Sequence, residues 1–101
     1  MTEAKKRLLF SVIIPTRNRA ALFEIALRSV LEQRFRKFEV IVVNDGSSEE
    51  HEVRTRELVE AAPGVARLLS LMRRERGHGQ SYALNHGATH ALGDYLCFLD
   101  D

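Results

Sequence analysis

Phe38-Glu39-Val40-Ile41-Val42-Val43-Asn44-Asp45-Gly46-Ser47-Ser48 sets the architecture of this chain. Apolar, mostly β-branched residues follow one another without polar alternation, the pattern of a strand buried on both faces. Asn-Asp-Gly-Ser-Ser then signals a turn. Ser47 with Glu50 beyond it has the form of a capping box, so a helix is expected to start at once. Strand, turn and helix in immediate succession point to a parallel α/β sheet.

Upstream, Leu8-Leu9-Phe10-Ser11-Val12-Ile13-Ile14 is a second run of this kind, closed by Pro15. The polar segment Thr16-Arg17-Asn18-Arg19 comes next, and Asn18 is a candidate helix cap. From Ala20 to about Arg34 the period becomes helical. Leu22, Phe23, Ala26, Leu27, Val30 and Leu31 share one face. Downstream, the second helix is expected to run to about Ala62 and to stop at Pro63-Gly64. Its Glu50/Arg54 and Glu52/Arg56 pairs have the order that favours ion pairing on a solvated face. Val65–Met72 is a weaker third strand. A polar, glycine-punctuated loop, 73–80, leads to a third helix from about Gln80 to Leu92. Its inner face is small (Ala83, Leu84, Gly87, Ala88, Ala91), which permits close approach to a sheet. Gly93 is expected to end it. The last segment, Asp94-Tyr95-Leu96-Cys97-Phe98-Leu99-Asp100-Asp101, is an apolar strand ending in two carboxylates.

The order β-α-β-α-β-α-β implies parallel strands joined by crossovers. The expected fold is α/β, a Rossmann-like three-layer α/β/α half-domain with a mainly parallel sheet. Ligands of such sheets bind at the carboxyl ends of the strands. The loops after the first, second and fourth strands should therefore meet at one edge.

Composition bounds the function. The chain has 101 residues, 45% hydrophobic and 29% charged, with a net charge of +1. That is one small domain at most, with no bulk electrostatic case for nucleic acid or an anionic membrane. No apolar run is long enough to span a bilayer, and no signal-peptide pattern precedes Pro15. The single cysteine, Cys97, excludes an internal disulfide and fits a reducing compartment. A cytoplasmic location is expected, with membrane association of a longer protein left open.

Several side chains could carry chemistry at that edge. Pro15-Thr16-Arg17-Asn18-Arg19 offers hydroxyl, amide and guanidinium groups, the last suited to phosphate; the same loop also reads as a plain helix cap. Asp45 can accept hydrogen bonds from a base or ribose, or simply belong to a tight turn. No G-x-G-x-x-G follows the first strand, so the dinucleotide fingerprint is missing. Gly79 lies in a loop only loosely like a phosphate-approaching one, and His78 reads as a surface residue. His86 and His90 have i, i+4 spacing without further metal-ligand residues, which is a poor zinc signature. Asp100-Asp101 at a strand end suits a divalent cation, because hard cations take carboxylate oxygens.

Taken together these segments resemble the family 2 glycosyltransferases of the GT-A fold. Ser11-Val12-Ile13-Ile14-Pro15-Thr16-Arg17-Asn18-Arg19 is similar to the family's opening strand and Pro-Thr-Xaa-Asn-Arg. Ser29-Val30-Leu31-Glu32-Gln33, Val42-Val43-Asn44-Asp45-Gly46-Ser47-Ser48 and Gly79-Gln80-Ser81-Tyr82-Ala83-Leu84-Asn85-His86-Gly87 come after it in the family's order. Ala91-Leu92-Gly93-Asp94-Tyr95-Leu96-Cys97-Phe98-Leu99-Asp100-Asp101 corresponds to its Asp-Xaa-Asp segment. The resemblance implies sugar transfer from a nucleotide-diphosphate donor, a UDP-sugar by preference, to an acceptor hydroxyl with inversion. It implies Mg²⁺ or Mn²⁺ as cofactor, with Asp100 and Asp101 at the metal. Nucleotide contacts are implied for Pro15, Thr16, Arg19, Asp45, Gly79 and Asp100. Leu84 departs from the pattern, which has Arg there.

The resemblance also implies a division of the chain. Residues 1–7 form a tail, and 8–101 form the N-terminal, donor-binding part of a GT-A domain, truncated at the Asp-Xaa-Asp element. The general base and the third position of that element are expected beyond residue 101, so this chain alone is expected to be inactive. Surfaces exposed by truncation would favour a homodimer. A non-catalytic nucleotide-binding or self-associating module, and an Asp-nucleophile phosphotransferase, are the competing readings.

Overall fold

The computed structural model describes residues 8–34, 37–72 and 76–101. Of the expected segments, the tail 1–7 and the loop positions 73–75 lie outside the described residues. The elements run β1 (Phe10–Thr16), α1 (Ala20–Leu31), β2 (Phe38–Asp45), α2 (Glu49–Glu60), β3 (Ala66–Leu71), α3 (Gln80–Ala88) and β4 (Tyr95–Phe98). All pairings are parallel, and the sheet order is β3-β2-β1-β4. Ile13 stands opposite Ile41 on one side and Phe98 on the other.

The apolar runs alternate between the two faces of the sheet, as the pleat requires. Ile14, Val40 and Val42 meet Phe23 and Leu27 of α1 and Val59 of α2. Ile13, Ile41 and Val43 turn the other way, towards Ala83 of α3. Helices therefore cover both faces, giving three layers. Phe23 is fully buried, and burial of such a side chain contributes about 1.5–3 kcal/mol. Ala83 and Gly87 are the buried positions of α3, so its small inner face does bring it close to the strands. Leu84 packs half-buried on the same side.

Several boundaries and partners differ from expectation. α1 stops at Leu31, and Leu22 on its supposed inner face is half exposed. α3 stops at Ala88. Beyond it, His90 N–H turns to the Gly87 carbonyl and Ala91 N–H to Ala88, tightening the chain out of α geometry. Gly93 is consequently not the helix terminator. The capping box is also absent: Ser48, not Ser47, is the N-cap of α2, and no side chain caps there. Ser47 Oγ instead accepts the Asn18 N–H at 2.9 Å. Asn18 likewise does not cap α1; its Oδ1 accepts the Ser48 N–H at 2.7 Å. On α2, Glu52 pairs with Arg56, but Arg54 turns to Glu57 and to Glu24 of α1 rather than to Glu50.

β4 departs most from its apolar composition. All four of its residues are exposed, with Tyr95 at 61% and Phe98 at 54%. Among the described residues it is an edge strand, paired with β1. No helix among the described residues is long and apolar enough to cross a membrane.

Candidate functional site

Every strand ends at the same edge, because all pairs are parallel. There the loops after β1 and β2, the segment entering α3, and the end of β4 enclose a cleft of about 390 Å³, a size that suits a small ligand. Pro15, Thr16, Arg19, Asp45, Gly79, Asp100 and Asp101 all line it. The structure therefore brings together all the residues singled out at this edge.

Asp45 ends β2 and is 5% exposed. Its carboxylate accepts the His78 N–H at 2.7–2.8 Å, the His78 ring nitrogen Nδ1 at 2.8 Å and the Gly79 N–H at 3.0 Å. Burial is the largest single influence on this carboxyl and pushes its pKa up. The ring bond of His78, the two backbone bonds and the His78 charge together outweigh it, so the pKa lies below the ordinary 3.8. Gly77 makes this closure possible. It adopts φ 73°, and a Cβ there would sit 2.8 Å from Asp45 Oδ2 and from Arg17 Cδ. His78 is thus no surface loop residue; it is the ring that holds Asp45. The Gly79 N–H is committed to Asp45 as well.

Asp100 and Asp101 diverge. Asp100 is exposed and its Oδ1 accepts from Gln80 Nε2 at 2.5 Å. Asp101 points inward with its side chain 7% exposed, and Arg19 Nη1 lies 3.7 Å from its Oδ1. Two buried oxygens in the lining, Thr16 Oγ1 and Asp101 Oδ2, have no hydrogen-bond partner among the described residues. Buried polar atoms are seldom left so. Both are hard donors of the kind that a cation or a phosphate-bound proton would satisfy. Among the described residues no three His, Cys, Asp or Glu side chains group to hold a metal by themselves. Two carboxylates are nonetheless a fitting set where phosphate oxygens and water complete the coordination, as is usual for Mg²⁺.

Arg76 also lines the cleft, as do Arg17 and Gln80 of the motifs read from sequence, and none of the three takes a role of its own from the sequence. Arg76 and Gln80 belong to a polar loop and a helix start whose partners are distant in the chain, so no local pattern marks their role. His86, half-buried on α3, and His90, exposed just beyond the helix, have ring centres 5.1 Å apart.

Known proteins share the sequence pattern and the fold. The family model described as Glycosyl transferase family 2 matches residues 11–101. A GalNAc(5)-diNAcBac-PP-undecaprenol beta-1,3-glucosyltransferase of Campylobacter jejuni is 33% identical over 91 residues, covering 90% of this chain and 28% of that protein. The amylovoran biosynthesis glycosyltransferase AmsB of Erwinia amylovora is 33% identical over 95 residues, 94% of this chain and 31% of its own length. Among solved structures, a mannosyltransferase from Pyrobaculum calidifontis in complex with GDP-Man and Mn²⁺ superposes with a TM-score of 0.80 at 32% identity. It is covered over 27% of its chain, and this chain over 93%. The chain thus spans less than a third of these relatives. Within that span the match reaches from the first strand to the last residue, and the chain belongs to glycosyl transferase family 2.

Proposed function

We propose that this chain forms the donor-binding part of a metal-dependent glycosyltransferase that uses a nucleoside-diphosphate sugar, with a UDP-sugar as the first candidate. Inverting transfer to an acceptor hydroxyl is proposed for the whole protein, and donor binding for these 101 residues. The observation that carries the reading is the cleft at the carboxyl edge of the sheet. The Arg19 guanidinium, the buried Asp101 carboxylate and the Thr16 hydroxyl converge there, and Asp101 Oδ2 and Thr16 Oγ1 have no partner among the described residues. The GDP-Man and Mn²⁺ in the Pyrobaculum relative support the ligand class.

The roles stem from placement. Asp45, ionised and held rigid by His78 and Gly79, already serves three N–H donors, so of its roughly four lone-pair sites about one is left for an N–H group of a base. Arg19, with its side chain 60% exposed, can turn from Asp101 to a diphosphate oxygen, an exchange of one charge-assisted contact for another. Thr16 Oγ1 can donate to a phosphate oxygen. Asp101, with Asp100 beside it, would hold Mg²⁺ or Mn²⁺. A cation there supplies neutralisation of the charge that develops on the departing diphosphate. Burial makes Asp101 a stronger partner than a solvated carboxylate would be.

Calorimetric titration with UDP, GDP and dTDP, each with and without Mn²⁺, tests this reading. Binding of UDP that strengthens with Mn²⁺ is expected. Preference for GDP would move the donor to another base, and binding of none of the three would contradict the proposal.

A further inference from the structure

A second polar cluster lies at the opposite end of the sheet, away from the cleft. Glu39, near the start of β2, is only 7% exposed. Its Oε2 accepts the Ser11 hydroxyl at 2.6 Å and the Leu92 N–H at 2.7 Å. Ser11 Oγ in turn accepts the Gly93 N–H at 2.8 Å. Arg67 of β3 supports Glu39 Oε1 at 3.4 Å and also donates to the His90 carbonyl. One buried carboxylate therefore ties three strands to the segment that joins α3 to β4. That segment is pressed onto β1: a Cβ at Gly93 would lie 2.7 Å from the Phe10 carbonyl carbon and 2.8 Å from Ser11 Oγ.

The tie matters because the four residues of β4 bury little themselves; the other holds are Tyr95 against Phe10, Leu99 on the core, and the side-chain contacts of Asp100 and Asp101. This strand is four residues long and exposed on both faces. A strand with no buried face has weakly specified register. Its backbone bonds, such as Tyr95 N–H to Leu9 O at 2.9 Å and Leu99 N–H to Ile13 O at 3.0 Å, could form equally well after a slip. A slip of one residue would exchange the directions of successive side chains. Asp100 would then turn where Asp101 now points. The contacts of Leu92 and Gly93 with Glu39 and Ser11 select one register from the start of the strand, as the half-buried packing of Leu99 on the core does from its end.

We propose that Glu39 is a positioning residue: through Ser11 and the Leu92–Gly93 backbone it fixes β4 in register on β1 and so aims Asp101 into the cleft. The functional consequence rests on the reading of Asp100 and Asp101 as the cation-holding pair; the register claim does not. Glu39 touches no ligand and acts from the far end of the sheet. Ser11 is the relay, since its hydroxyl donates to Glu39 and accepts from Gly93.

Residue-resolved amide exchange on the whole chain tests the proposal. The variants are Glu39→Ala, the isosteric Glu39→Gln, the milder Ser11→Ala, and Val59→Ala as a core lesion remote from β4. Relative to Val59→Ala, the Tyr95 and Leu99 amides should exchange about tenfold or more faster in Glu39→Ala and Ser11→Ala, while β2 amides such as Val40 do not. Glu39→Gln, which keeps an acceptor oxygen, should restore part of the protection. Ser11→Ala carries the test if Glu39→Ala does not fold. Broadening of the Asp101 amide by Mn²⁺ should disappear in the same two variants. Exchange at Tyr95 and Leu99 no faster than in Val59→Ala would overturn the proposal. The expected exchange pattern without Mn²⁺ broadening in the unaltered chain supports the register claim and removes the cation reading alone.

Discussion

Arg19 Nη1 lies 3.7 Å from Asp101 Oδ1, so the loop after β1 and the end of β4 meet across the cleft. The distance is long for a charge-assisted bond, and Arg19 is largely solvated. Although the Asp101 side chain itself is buried, the contact is long and Arg19 solvated, so the pair adds little to folding. Its members are therefore free to exchange partners when a ligand enters. Arg19→Ala and Asp101→Asn should each leave the unfolding midpoint nearly unchanged. Either should weaken binding of a nucleoside diphosphate about tenfold or more, the usual worth of a hydrogen bond to a charged group. Only Asp101→Asn should abolish the dependence on Mn²⁺. Calorimetry and thermal unfolding on the same samples separate the two effects.

Asp45 has a pKa held below the ordinary 3.8. A depressed folded-state value means stability that is full above the unfolded value and is lost as pH falls through the folded one. Urea midpoints should thus hold steady at neutral pH and decline below about pH 4. Asp45→Asn should lower the neutral-pH stability by about 1–3 kcal/mol, because it disturbs a carboxylate that serves several donors. It should also flatten the acid limb of the profile. An acid limb unchanged in Asp45→Asn would show that other groups control it.

Asn18 and Ser47 join the loops after β1 and β2 by reciprocal bonds, Asn18 N–H to Ser47 Oγ and Ser48 N–H to Asn18 Oδ1. Asn18 also sits at φ 55°, where asparagine is tolerated better than most residues. Ser47→Ala should cost about 1 kcal/mol. Asn18→Ala should cost more than Asn18→Gly, since glycine relieves the backbone while both lose the side-chain bond. Chemical denaturation of the three variants checks the order.

Gly77→Ala should disturb the site more than the fold. The added Cβ would meet Arg17 and Asp45 Oδ2 at 2.8 Å and would also sit at a φ of 73°. A local opening of the His78–Asp45 closure is expected, at about 1–3 kcal/mol. Loss of protection at the His78 and Gly79 amides, with β1 and β2 amides little affected, is the pattern to look for in exchange experiments.

How much of this could be read in sequence depended on the range of the interactions. β1 and β2 were legible because a doubly covered strand must be apolar on both sides, and Val40–Val43 says so locally. The cleft was legible because parallel strands with crossovers must place Thr16, Asp45 and Asp100 at one edge. Capping differs from its local signal for a physical reason. Ser47 and Asn18 have the right chemistry for their own helices, but each finds its partner about a third of the chain away. His78 looks like a surface residue for the same reason, since Asp45 lies 33 positions upstream. The exposure of β4 goes with its edge position among the described residues; the family resemblance, rather than the apolar tetrapeptide itself, leads to the expectation of exposed surface there. Glu39 looks like an ordinary polar residue at a strand start; its partners come from β1, β3 and the turn before β4.

Binding of a nucleoside diphosphate in the cleft at the carboxyl edge of the sheet is the property on which every proposed role depends. Its most direct test is the ¹H–¹⁵N spectrum of the chain titrated with UDP in the presence of Mg²⁺. Saturable shifts clustered at Thr16, Arg19, Asp45, Gly79, Asp100 and Asp101 are expected. Shifts confined instead to α2 and β3, or a spectrum that UDP and Mg²⁺ leave unchanged, would contradict donor binding at this edge.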